Sequence, residues 1–178
     1  MFKLLYPYEY VPSVFAIDYQ KLYDDGFRGL IFDIDNTLVH HGDDSTPKVD
    51  ALFRKLHAIG FKTVLLSNND EERVTRFIKN IDTDYVCDAA KPSPKGYLKA
   101  VKRMGLKKEQ TIFIGDQIFT DIFGANRCRI PNILVRFIRM KGETNFGKRR
   151  QLEHMILNFY KRNRKCRHRL GPIIKRFK

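Results

Sequence analysis

The chain has 178 residues, enough for one well-packed domain and too few for two. Its 43% hydrophobic and 30% charged content is ordinary for a soluble protein, and no apolar run approaches the ~18 residues that a membrane span needs. Three cysteines without a CxxC or Cys/His pairing give neither a disulfide framework nor a zinc site, and the opening Met1 to Pro7 is too short before its proline for a signal peptide, so a cytoplasmic location is expected.

The net charge of +14 is unevenly placed. From Lys148 to Lys178 twelve Lys/Arg face one acid, Glu153, a net +11 that leaves +3 for residues 1–147. The division expected is therefore a body over 1–147 and a basic amphipathic helix and tail over 148–178.

Residues 1–28, rich in tyrosine and apolar side chains and containing Pro7 and Pro12, read as an arm packed on the core, with a short helix near Ile17 to Tyr23. Leu30 to Phe32 is a first buried strand, ending in Asp33 and Asp35. After a polar loop, Thr46-Pro47 supplies an N-cap and a first helical residue, Val49, Leu52, Phe53 and Leu56 recur at helical spacing, and Gly60 closes the helix. Lys62 to Leu66 is a second strand, followed by Ser67-Asn68-Asn69. Asp70 starts a helix with Val74, Phe77, Ile78 and Ile81 on its apolar face. A third strand at Tyr85 to Cys87 leads into the Lys91-Pro92 loop and a helix from about Pro94 to Met104. Thr111 to Ile114 is a fourth strand, ended by Gly115-Asp116 before a helix carrying Thr120 and Asp121. Asn132 to Val135 is a fifth, and Leu152, Met155, Ile156, Phe159 and Tyr160 mark one face of a last helix. Five short strands alternating with helices predict an α/β fold with a five-stranded parallel sheet and helices on both faces.

In such a sheet the C-terminal ends of the strands share one edge, which is where ligands bind. Asp33, Asp35, Ser67, Lys91, Asp116 and Asp121 all fall there. An unpaired carboxylate at the end of a buried strand costs several kcal/mol, so carboxylates, a hydroxyl and an amine converging on one rim imply a cation and an anion among them. Magnesium fits the oxygen donors, and a phosphoryl group fits the lysine and backbone amides.

Asp33-x-Asp35-x-Thr37, Ser67, Lys91 and Gly115-Asp116-x-x-x-x-Asp121 resemble the four motifs of the haloacid dehalogenase (HAD) superfamily of phosphatases, in order, over about residues 26–137. The opening Leu5-Tyr6-Pro7-x-Glu9-Tyr10-Val11-Pro12-Ser13, together with Phe32 to Leu38 and Lys91-Pro92, resembles the YqeG-type subfamily of class IIIA, a group similar to phosphatidylglycerophosphate phosphatases. The resemblance implies a Rossmann-like HAD fold and a magnesium-dependent phosphomonoester hydrolase working through an aspartyl phosphate. Asp33 would be the nucleophile and Asp35 the general acid-base. Ser67, Asn68 and Lys91 would bind the phosphoryl group, and Asp33, Asp35 through its backbone carbonyl and Asp116 would hold Mg2+, with Asp121 as a further ligand or a partner in the outer shell. Thr37 either bonds the aspartate loop or serves the turn, as does Asn36; His40 and His41 are expected to be polar loop residues.

Relatives of this kind select substrates with a cap domain, inserted after the first or the third strand. Only about seven residues separate Leu38 from Thr46 and about eight follow Asp88, so a capless, open site is expected. An open site admits a large anionic phosphate ester, phosphatidylglycerophosphate among them. The tail is suited to an anionic membrane surface, to RNA, or to mere solvation, and the alternative function is a nucleic-acid or ribosome-associated module with a vestigial phosphatase core.

Overall fold

A computed structural model describes residues 2–139 and 147–175. In chain order the strands and helices are β1 (Glu9–Val11), α1 (Tyr19–Asp24), β2 (Gly29–Phe32), α2 (Pro47–Ile59), β3 (Lys62–Leu66), α3 (Glu71–Phe77), β4 (Asp84–Val86), α4 (Pro94–Met104), β5 (Thr111–Gly115), α5 (Phe123–Arg127), β6 (Asn132–Val135) and α6 (Lys148–Arg162). All pair in parallel, in the spatial order β1-β6-β5-β2-β3-β4.

The local chemistry explains the boundaries. The Thr46 hydroxyl accepts the Val49 N–H and Pro47 opens α2, while Gly60 at φ 110° turns the chain out of the helix in a conformation that a side chain would strain. Asp70 caps α3 in the same way, through the Arg73 N–H at 2.8 Å. Helix α3 is shorter than its apolar pattern predicts: it ends at Phe77, and Ile81 reaches the core from the turn beyond. The helix expected to carry Thr120 and Asp121 begins as a single π-helical turn, Ile118–Ile122, and runs directly into α5.

The sheet has six strands rather than five. The extra one, β1, lies in the arm and pairs with β6, Glu9 opposite Ile133. Three residues beginning with a glutamate carry no strand signal, since Glu9 is buried by a partner far along the chain, His168 at 3.0 Å. As expected, the arm packs on the core: Val11, Val14, Ile17 and Tyr19 are buried there with α2 and α3. The C-terminal segment returns to the same place. Asp18 N–H donates to the Ile173 carbonyl at 2.7 Å, Lys175 N–H to the Ala16 carbonyl at 2.9 Å, and Ile173 is fully buried.

A second core lies on the opposite face of the sheet, where Tyr97, Ala100, Val101 and Met104 of α4 pack with Ala125 and Cys128. A third holds α6 through Ile156, Leu157 and Tyr160 against Ile118, Ile122 and Leu134.

What positions the site is the strand order. From central β2 the chain steps outward one way through β3 and β4, and the other way through β5, β6 and β1. The ends of β2 and β5 therefore flank the crevice where the sheet's winding reverses, the usual place for a ligand in this architecture.

Candidate active site

Asp33 follows β2 directly, its N–H tied to the Ile114 carbonyl of β5 at 2.9 Å. Its two oxygens have separate partners: Oδ1 receives Lys91 Nζ at 2.5 Å, and Oδ2 receives the Thr37 hydroxyl at 3.1 Å. The Thr37 oxygen also lies 3.3 Å from Asp116 Oδ1, which places it between two carboxylates rather than in a turn alone. Lys91 Nζ reaches Asp121 Oδ1 at 2.8 Å. The other oxygen of Asp121 folds back over the end of β5 to accept the N–H groups of Asp116 and Gln117. Only glycine leaves room for this at position 115, since a Cβ there would stand 2.5 Å from Asp121 Oδ2.

Asp33, Asp116 and Asp121 each offer an oxygen within 4.8 Å of the others, and all three are buried. Burial first, then repulsion from Asp121, pushes the Asp33 carboxyl up to about 6 against the pull of Lys91. The same two causes push Asp116 up to about 8 against the pull of Arg150. Burial alone would lower Lys91, yet Asp121 and Asp33 raise it above its ordinary value. Three buried carboxylates converging on one point are the hard-oxygen donor set of a divalent cation, so the residues present fit magnesium.

Arg150 of α6 reaches across to this cluster. Its guanidinium pairs with the Asp116 carboxylate, donates to the Asp116 carbonyl at 3.0 Å, and pairs with Glu153 at 2.9 Å. Glu153 in turn accepts the Phe119 N–H at 3.2 Å, fastening the π-turn to the helix.

The Asp35 carboxylate is not among these three. It accepts from Asn69 Nδ2 at 2.6 Å, Arg73 Nη2 at 3.1 Å and the Gly42 N–H, with His41 Nδ1 at 3.4 Å. Burial works to raise it, but Asn69, Gly42, Arg73 and His41 together hold it below the usual carboxylate value. Asn36 turns the chain at φ 62°, a left-handed conformation that asparagine tolerates, and its side chain accepts the His41 N–H. Ser67 is buried at the end of β3 and accepts the Asn69 N–H at 3.1 Å. Asn68 is exposed and its Oδ1 holds the Lys91 N–H at 2.7 Å. Asp33, Asp35, Ser67, Asn68 and Lys91 share one cleft of about 180 Å³, which Asn69, Gln117 and Thr120 also line. Asp116 and Asp121 sit beneath it.

Sequence reasoning gave no role to four residues at this site. Asn69 is the exception to look for, as the third polar residue at a strand end. Arg73, Arg150 and Glu153 are ordinary helix-surface charges until the fold brings them in.

Residues 41–129 match the model of the haloacid dehalogenase-like hydrolase family. The chain is 37% identical over 163 residues to the probable phosphatase YqeG of Bacillus subtilis (strain 168), spanning 90% of this chain and 94% of that protein. The chain belongs to the haloacid dehalogenase-like hydrolase family. An alignment that long necessarily runs from Asp33 through Asp121. This hydrolase is also 27% identical to phosphatidylglycerophosphate phosphatase 1, chloroplastic, of Chlamydomonas reinhardtii, over 79% of this chain and 56% of that one. In fold it is similar to a crystal structure from Listeria monocytogenes serotype 4b, with TM-score 0.53 and 16% identity over 77% of this chain and 100% of that one. A vestigial phosphatase core gains no support, because every expected site residue lines the cleft or the carboxylate cluster beneath it.

Proposed function

We propose that this HAD-type phosphatase hydrolyses phosphomonoesters with magnesium, through an aspartyl phosphate on Asp33. The observation that carries the proposal is Lys91 Nζ lying between Asp33 and Asp121, with the Asp116 carboxylate in the same cluster. Asp33, the Asp35 backbone carbonyl, Asp116 and Asp121 would hold the ion, which supplies charge neutralisation at the phosphoryl oxygens.

Asp33 attacks phosphorus in line. A bond forms from its carboxylate oxygen to phosphorus while the bond to the leaving oxygen breaks, and Asp35 gives that oxygen its proton. In the second half Asp35 takes a proton from water, the water oxygen bonds to phosphorus, and Asp33 is released with inorganic phosphate. The Asn69 and Arg73 contacts that favour ionised Asp35 suit this second, basic role. Lys91 and the Ser67 hydroxyl hold the phosphoryl oxygens, with Asn68 keeping the Lys91 backbone in place.

The substrate is a large anionic phosphate ester, phosphatidylglycerophosphate being the first to try. Two features support that choice: loops too short to roof the cleft, and similarity to a phosphatidylglycerophosphate phosphatase. The test is a panel of phosphatidylglycerophosphate, nucleotides, sugar phosphates, phosphopeptides and a soluble aryl phosphate. Hydrolysis is expected to vanish on chelation, return with magnesium and be lost in Asp33→Asn. Full activity in Asp33→Asn overturns the mechanism; a better substrate than the lipid overturns the substrate assignment alone.

A further inference from the structure

Helix α6 has two faces of different chemistry. Ile156, Leu157 and Tyr160 face inward. Outward, Leu152, Met155 and Phe159 stand 48%, 56% and 57% exposed, large values for apolar side chains three and four residues apart on one stripe. Lys148 and Arg162 continue the same stripe at its two ends, both exposed. Past the helix, Arg162, Arg164 and Lys165 line an open groove with Phe159 and Tyr6. Lys3, Lys165 and Arg169 line a second groove beside it. Neither groove has an acidic residue in its lining. The one acid between 147 and 175, Glu153, is buried against Arg150 on the other face.

We propose that this stripe and the grooves beyond it dock the protein on an anionic lipid bilayer. Leu152, Met155 and Phe159 enter the boundary of the acyl chains, and the flanking cations take headgroup phosphates. Charge complementarity selects this occupant. A second copy of the chain would set Lys148 against Arg162 in an antiparallel pairing, or each against itself in a parallel one, with no acid to offset either. Nucleic acid would satisfy the cations but leave Leu152 and Met155 in water. A helix lying in the interface plane would also bring the catalytic edge near the lipid, because Arg150 in its first turn touches Asp116. The surface lies apart from the cleft, so the proposal does not depend on the phosphatase chemistry.

The experiment is co-sedimentation of the full chain with vesicles of phosphatidylcholine alone or mixed with phosphatidylglycerol, at low and high salt. Binding is expected on the mixed vesicles alone and weaker in salt. The combined L152S, M155S and F159S variant should partition about tenfold less or worse. The pair Lys148→Glu and Arg162→Glu should abolish the preference for anionic vesicles. Hydrolysis of a soluble aryl phosphate checks that these variants are folded and should not change. Undiminished vesicle binding by the triple serine variant overturns the proposal, as does a dimer in solution that those serines dissociate. Binding of an RNA oligonucleotide in preference to the vesicles, unaffected by the serines, overturns it too.

Discussion

Gly115 and Arg150 determine where the carboxylates stand without touching phosphate themselves. A methyl group at position 115 collides with the side chain of Asp121, so Gly115→Ala should shift that carboxylate and its lysine partner. Steady-state kinetics on an aryl phosphate are expected to show kcat/KM lower by about a hundredfold, the scale of an ångström's misplacement in an active site, and overpacking the buried turn should also lower the thermal midpoint by several degrees. Arg150→Ala removes the cation that orients Asp116. The magnesium concentration for half-maximal activity should rise by roughly tenfold to a hundredfold, with Arg150→Lys restoring part of it. Asp33, Ser67, Lys91 and Asp116 were legible because each ends a strand or its loop, and strand ends in a parallel sheet share an edge. Arg150 was not. It lies 34 residues beyond Asp116 in a helix of many cations, and periodicity gives no reason to single it out. Asp35 was legible as a residue but not as a conformation, since its partners come from α3 and the loop before α2.

Among the elements, α3 holds the loop that follows β2. Arg73 donates to the Asp43 carbonyl at 2.6 Å, and Arg76 pairs with Asp44 at 2.7 Å, so the loop after β2 is fastened down beside Asp35. The two arginines differ in burial, 12% against 53% exposed, and their replacement should differ accordingly. Arg76→Ala is expected to leave kcat within about twofold, as for most exposed ion pairs. Arg73→Ala, which also strips a donor from Asp35, should lower kcat about tenfold or more with KM less affected, and paired kinetic assays distinguish the outcomes. Capped helices such as α2 were legible to the residue because Thr46, Pro47 and Gly60 act locally. Strand β1 was not, because its pairing with β6 and the burial of Glu9 depend on residues more than 120 positions away.

In the whole molecule the two ends of the chain are joined. The bridge between Ile17 and Ile174 and the burial of Ile173 make the last described residues part of the main core. Ending the chain after Arg162 would remove that isoleucine, a loss comparable to a large core truncation of about 2–5 kcal/mol. Thermal unfolding should therefore move down by roughly 5 to 20 °C, and a midpoint matching the full chain would show that the contact contributes nothing. Among the described residues no helix is long and apolar enough to cross a membrane.

That same closure has a bearing on how the protein is made. During synthesis β2 to β5 leave the ribosome ahead of α6, with Asp33, Lys91 and Asp116 just past the ends of their strands and Asp121 in the turn that follows. Helix α6 and Ile173 follow roughly thirty to sixty residues after β5. A partly made chain thus holds these carboxylates and the lysine before it holds Arg150 or the seal on its N-terminal arm. Residues 150–173 complete both, which couples the ordering of the carboxylate cluster to the segment that follows β6.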